Sequence, residues 1–263
     1  MKVSLVQLAV NAGDVDANVS FILDCMDQAS ASGSDLLVLP ELSTTGMNWD
    51  RNREFLQGSG VGLEPLIAHA AKRRIAFCGS FPERLDNNHC ANTFYYFDAH
   101  GAEVARYRKT HLFSLFAEAD HVFPGDSFLT VETAMATLGF SICYDLRFPE
   151  LFRNCVLAGA EVQLLVAAFP HPRLSHWKSL LRARAIENQV YIVAVNQCGT
   201  ERHGNSVGEV SYFGHSMVVD PWGEVVLEAG EDPGLFELKL DLELVASVRA
   251  QMPVLKDRRT DLY

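Results

Sequence analysis

The 263-residue chain contains no Cys-x-x-Cys pair, although it carries six cysteines, at positions 25, 78, 90, 143, 155 and 198. No cysteine joins a histidine at zinc spacing, and His111, His121, His171, His176, His203 and His215 form no His-Glu-x-x-His pattern. The chain thus lacks a standard zinc motif, and no metal is expected. It lacks an apolar run near the ~20 residues that span a bilayer, so no membrane partner is expected. Repeats, low-complexity runs and Pro/Ser-rich linkers are absent too. Positive charge is scarce: 22 Lys and Arg against 33 Asp and Glu leave a formal charge of −11. A field of that sign repels phosphate backbones and argues against nucleic acid, while leaving room for a local basic pocket. The opening MKVSLVQLAV has one lysine, a polar Gln7 within its apolar run and a poor cleavage site. It reads as a first β-strand, not an export signal, and a cytoplasmic protein with reduced thiols is expected.

What is present is the composition of a globular protein, 48% hydrophobic and 21% charged. The length suits one or two domains, and the missing linker favours one, residues 1–263, with a core to about 245 and a polar tail over 246–263. Apolar runs predict strands at 2–9, 35–40, 74–81, 137–143, 162–168, 191–197 and 234–239. Helical periodicity appears near 17–31, 63–73, 148–160, 175–189 and 241–251. Asp14 and Asp16 offer N-caps to the first of these helices. Hairpins are predicted for 92–98 with 103–109, and around Pro221-Trp222-Gly223. Strand–helix units mixed with hairpins predict an α/β fold with mixed sheets. Two sheets packed face to face with helices outside would use all the short apolar strands. Gly58-Ser59-Gly60-Val61-Gly62 lacks both the spacing and the preceding strand of a dinucleotide loop, and reads as a connection.

Three polar residues stand at strand ends, where α/β scaffolds carry function. Glu41 follows Pro40 directly; partial desolvation there would make it a better base. Lys109 ends RYRK before an apolar turn, where an ammonium can stabilise an oxyanion. Cys143 closes an apolar strand before a helix-opening segment, a setting whose backbone N–H groups and nearby lysine favour thiolate. Each has an ordinary alternative: a solvated loop glutamate, a lysine in a surface patch with Arg106 and Arg108, and a buried structural cysteine.

Together, PELSTTG, YRKTHLF and CYDLRFPEL, in this order and at these separations, resemble the three signature blocks of the nitrilase superfamily of carbon–nitrogen hydrolases. HWKSLLRARAIENQVYIVAVNQ and GHSMVVDPWGEVV resemble its later blocks, so the likeness covers essentially the whole chain. The resemblance implies a four-layer α-β-β-α sandwich, a homodimer or higher homo-oligomer, and no metal or organic cofactor. It implies a catalytic triad of Glu41 as base, Lys109 as oxyanion stabiliser and Cys143 as nucleophile, with a thioester intermediate. Glu118 matches a second family glutamate that holds the lysine and positions the amide or the water. The backbone N–H of Tyr144 would share the oxyanion with Lys109. Asp145 and Arg147, beside the nucleophile, are expected to fix the elbow through an ion pair or hydrogen bonds.

AAFPHPRLSHW followed by LLRARAIENQ resembles the ω-amidase branch, which implies 2-oxoglutaramate and 2-oxosuccinamate as small amide substrates. CYDLRFPEL, PWGEVV and DLY agree but are shared with deaminated glutathione amidases. Arg173 offers a fork for a substrate carboxylate, and Phe116, Phe169 and Trp177 are candidate pocket walls. Rival readings are a deaminated glutathione amidase, an N-carbamoyl amino acid or amine hydrolase, a nitrilase, and a non-catalytic scaffold.

Overall fold

A computed structural model describes residues 1–58, 60–86, 89–203 and 207–262; Ser59 of the glycine-rich connection lies outside the described residues. The first part of the chain forms β1 (Lys2–Gln7), α1 (Val15–Ala31), β2 (Leu36–Val38), α2 (Trp49–Gln57), α3 (Leu63–Arg73), β3 (Ala76–Arg84), β4 (Cys90–Phe97) and β5 (Glu103–Arg108). The second forms β6 (Thr130–Glu132), β7 (Thr137–Ile142), α4 (Pro149–Leu157), β8 (Val162–Ala167), α5 (Leu174–Asn188) and β9 (Tyr191–Asn196). It continues through β10 (Cys198–Arg202), β11 (Glu209–Phe213), β12 (Met217–Val219), β13 (Val225–Glu228), β14 (Gly234–Lys239) and α6 (Glu243–Gln251).

The strands build two six-stranded mixed sheets, ordered β14-β1-β2-β3-β4-β5 and β13-β12-β9-β8-β7-β6, and a separate β10-β11 hairpin. Strand periodicity sorts side chains between layers. Leu36, Val38, Cys78, Phe94 and Tyr96 point towards the second sheet. Their neighbours Leu37, Leu39, Phe77, Tyr95 and Phe97 pack outward with α1 and α3 residues such as Ile22, Met26 and Leu66. On the second sheet's outer face, Phe152 of α4 and Trp177 and Leu181 of α5 join the core. The result is the four-layer α-β-β-α sandwich that the resemblance implies. Its last strand, β14, returns to pair antiparallel with β1 of the first sheet.

Local chemistry sets the helix starts. Asp14 accepts the Ala17 N–H at 3.1 Å as the N-cap of α1. Pro149 opens α4, where its fixed φ and missing N–H cost nothing. Four elements escaped the sequence. α2 is short and mostly polar, with only Trp49 and Asn52 buried. β6 is a three-residue edge strand. β10 and β11 carry mostly polar side chains, so they lack an apolar signal. Two boundaries move. The packed body runs beyond residue 245, because Val248 of α6 is buried and Gln189 Nε2 donates to Met252 O at 2.7 Å. β7 stops at Ile142, and Cys143 opens a 3-10 turn over Cys143–Arg147. Among the described residues no helix is long and apolar enough to cross a membrane.

Candidate active site

The two sheets meet at one buried polar cluster. Glu41 follows β2 and is fully buried. Its Oε1 accepts from Lys109 Nζ at 2.9 Å and from Asn92 Nδ2 of β4 at 2.8 Å. Its Oε2 accepts the Ala168 N–H, just past β8 of the other sheet, at 2.8 Å. The Glu41 carbonyl accepts Gln197 Nε2 at 2.8 Å. Both sheets therefore hold this one carboxylate.

Lys109 follows β5 and is 1% exposed. Its ammonium donates to Glu41 and, at 2.8 Å, to Glu118 Oε1. Two of its three N–H bonds are thus committed and one remains. Burial alone would lower its pKa, but the Glu118 and Glu41 carboxylates and Cys143 outweigh burial and hold it well above the usual lysine value. Glu118 is fully buried, and its Oε2 accepts the Phe113 N–H at 2.6 Å. Desolvation, aided by Glu41, raises its pKa against the opposing pull of Lys109.

Cys143 is 7% exposed and stands in the left-handed region at φ 47°. Leu42, after Glu41, and Ala117, before Glu118, share that conformation at 46° and 51°. Non-glycine residues held there are strained, and such strain gathers at functional sites. The helix-opening setting and the nearby lysine, expected to favour thiolate, do not prevail over burial here. Desolvation first, then Glu41 and Glu118, push the Cys143 thiol well above its usual range, and Lys109 only partly opposes them. The resting group is a thiol that hydrogen-bonds Glu41.

The elbow around Cys143 is fixed by Asp145, fully buried, which accepts from Ile142 N–H at 2.8 Å, Tyr107 OH at 2.7 Å and His111 N–H at 3.1 Å. Arg184 of α5 supports it from outside, donating to Leu146 O at 2.9 and 3.1 Å. Arg147 makes no ion pair with Asp145. Its guanidinium instead lies over the Phe169 ring at 5.3 Å and the Tyr144 ring at 6.0 Å.

The remaining sequence candidates gather at the same mouth. Tyr144 packs on Phe113 at 4.8 Å between ring centroids, and Phe116 packs on Phe113 at 4.8 Å and His203 at 4.7 Å. Arg173, at the N-cap of α5, holds its guanidinium 5.8 Å from the Phe113 ring centre and donates to His171 O at 3.1 Å. Phe169 is nearly buried against Trp177, 5.3 Å away, under Arg147. Trp177 itself is core: it is wholly buried and donates Nε1 to His215 O at 2.8 Å.

Sequence reasoning missed Asn92, Gln197, Glu201, His203 and Tyr212. His203 Nε2 and Tyr212 OH hydrogen-bond at 2.6 Å in a buried pair. Burial lowers the His203 pKa to about 4 and pushes the Tyr212 phenol well up, so both are neutral. Asn92 and Gln197 were traceable as polar residues at the ends of apolar runs. The β10–β11 residues had no such flag.

The carbon–nitrogen hydrolase family model matches residues 2–250. A 2-oxoglutaramate amidase of Bacillus subtilis (strain 168) is 36% identical over 263 residues, covering 99% of this chain and 98% of the relative. A deaminated glutathione amidase of Mus musculus is 41% identical over 270 residues, covering 98% of this chain and 78% of the relative. A mutant amidase from Nesterenkonia sp. AN1, with acrylamide joined to its active-site cysteine by Michael addition, superposes with a TM-score of 0.85 at 28% identity. The alignment covers 100% of this chain and 98% of that structure.

Proposed function

Because the chain belongs to the carbon–nitrogen hydrolase family, and is a hydrolase of non-peptide carbon–nitrogen bonds, we propose that it is an ω-amidase. Its substrates are 2-oxoglutaramate- and 2-oxosuccinamate-type amides. The observation that carries the catalytic reading is the buried Glu41–Lys109–Glu118 chain set against the Cys143 thiol. A thiol that rests protonated needs a base, and Glu41 already accepts its hydrogen bond.

Glu41 takes the Cys143 proton as sulfur attacks the amide carbon. The oxyanion takes hydrogen bonds from the remaining Lys109 N–H and the Tyr144 backbone N–H. The carbon–nitrogen bond breaks, Glu41 gives its proton to the nitrogen, and ammonia leaves a thioester. Water attacks that carbon with Glu41 again as base, and the acid leaves as Cys143 regains its proton. Glu118 holds Lys109 throughout.

Two guanidiniums support an anionic substrate. Neither Arg147 nor Arg173 has a carboxylate within salt-bridge distance among the described residues, and both sit on the aromatic patch beside Cys143. In a chain of charge −11 they are two cations beside Cys143 that no described carboxylate neutralises, suited to a substrate carboxylate. Further parts of the reading are a homodimer and a cytoplasmic location. Leu157 of α4, Ile186 of α5 and the nearby Trp222 are exposed apolar side chains on the second sheet's outer side, which suits self-association. All six cysteines are free, which suits a reducing compartment.

A second reading, deaminated glutathione amidase, is favoured by the higher identity of the murine relative. The experiment is a substrate panel with two readouts. Ammonia from 2-oxoglutaramate and 2-oxosuccinamate supports the first reading; cysteinylglycine from deaminated glutathione, at higher kcat/KM, supports the second. No turnover of any amide by the purified chain overturns both.

A further inference from the structure

Glu201 is a buried carboxyl beside this site that the mechanism above leaves unused. It stands on β10 and is 2% exposed. Its Oε1 accepts the Met47 N–H, on the loop that continues from Glu41. That oxygen presses on Gly46, where a Cβ would come within 2.6 Å of it, so the contact requires glycine. Among the described residues its Oε2 has no hydrogen-bond partner and no cation pairs with it. The titratable groups facing it are Glu41 from the loop after β2 and Tyr212 from β11. His203, just past β10, is engaged with Tyr212, and Lys109 is held between Glu41 and Glu118.

A buried carboxylate with one bare oxygen and no cation is far costlier than the neutral acid. Burial, reinforced by Glu41 and opposed by the Met47 N–H, lifts the Glu201 pKa to about 8. Near the centre, one ammonium already faces two carboxylates. A third negative charge would disfavour both the thiolate and the oxyanion.

We propose that Glu201 is a positioning residue that works as a neutral carboxylic acid. It ties the Glu41 loop to the β10–β11 hairpin and keeps a further negative charge out of the centre where the oxyanion forms. The proposal rests on the cysteine-amidase reading. It predicts that turnover falls when Glu201 ionises, without any change at the catalytic groups themselves.

The test compares wild type, Glu201→Gln and Glu201→Ala from about pH 5 to pH 10, by kcat/KM on the best amide of the panel and by Tm. Glutamine keeps the acceptor for Met47 and cannot ionise. Wild-type kcat/KM is expected to fall above about pH 8, while Glu201→Gln keeps most of its neutral activity and its fall begins at least about one pH unit higher. Glu201→Ala, without the acceptor, is expected to lose at least about tenfold at every pH. In Tm, wild type loses ground to Glu201→Gln between about pH 5 and pH 8, where the unfolded chain ionises Glu201 and the folded chain does not, and then levels. An alkaline fall at the same pH in wild type and Glu201→Gln overturns the proposal, and so do parallel Tm curves. If no amide is turned over, the amidase reading fails by itself, and the Tm comparison alone decides whether Glu201 is neutral in the fold.

Discussion

Replacing Lys109 by methionine removes the one cation between two wholly buried carboxyls and keeps the volume of the side chain. Breaking a buried pair in this way costs about 3–5 kcal/mol in general, but here the loss must depend on pH. The cheapest relief is to leave a carboxyl protonated in the folded state. Against an ordinary carboxyl value near 4.3, holding one proton at pH 7 costs roughly 3–4 kcal/mol, and at pH 5 only about 1 kcal/mol. The sign follows from linkage: the variant's folded form binds more protons than its unfolded form, so stability is retained at low pH and lost as pH rises. Urea denaturation of wild type and Lys109→Met at both pH values reads this directly. The midpoint deficit should be large at pH 7 and shrink several-fold at pH 5. An equal deficit at both would refute the claim that charge, and not packing, is what Lys109 supplies. No deficit at all would refute the buried ion triad. Turnover should fall at least about 10²–10³-fold as well, since an oxyanion donor is gone.

Other outcomes follow from the same geometry. Cys143→Ala and Glu41→Gln should each abolish ammonia release while circular dichroism and Tm stay close to wild type; normal turnover by purified Cys143→Ala would end the nucleophile assignment. Arg173→Ala should raise KM for 2-oxoglutaramate about tenfold or more with little change for an uncharged amide; equal effects on both remove Arg173 from carboxylate binding. Asp145→Ala strips the Ile142 and His111 N–H groups and the Tyr107 and Thr110 hydroxyls of their buried acceptor and should destabilise by about 2–4 kcal/mol in urea; a loss below ~0.5 kcal/mol would show the elbow does not depend on it. Iodoacetamide should label Cys143 before the other five cysteines, and mass spectrometry finding another first, with no amide turned over, would favour a scaffold.

Much of this molecule was legible in the sequence because burial writes itself as periodicity. DLLVLP and VQLLVAA are apolar because each becomes a strand covered on both faces. Glu41 and Cys143 were legible because each polar residue stands at the end of such a run, and Lys109 because its block YRKTHLF joins theirs in order and spacing. The protonation state of Cys143 was not, since the strand-to-turn setting suggested stabilisation of the thiolate while the depth of burial, decided by tertiary packing, reverses it. The β10–β11 hairpin was invisible for a related reason. Besides Cys198 and Phe213, its buried residues are Glu201 and Tyr212, and Tyr212 packs with Leu42, Met47 and Trp49 of the segment after β2, so no local pattern marks them. Arg147 shows the limit of sequence proximity: Asp145 is two residues away, yet the turn aims the two side chains apart.

The Glu41 carboxylate is held by Asn92 of the first sheet and by the Ala168 amide of the second. Neither half of the chain can therefore assemble the reactive arrangement alone. Cys143 meets its base only where the two sheets have closed on each other. For the same reason the Ala168 amide should exchange with solvent only when the whole sandwich opens, which makes that single proton a reporter of the intact catalytic state.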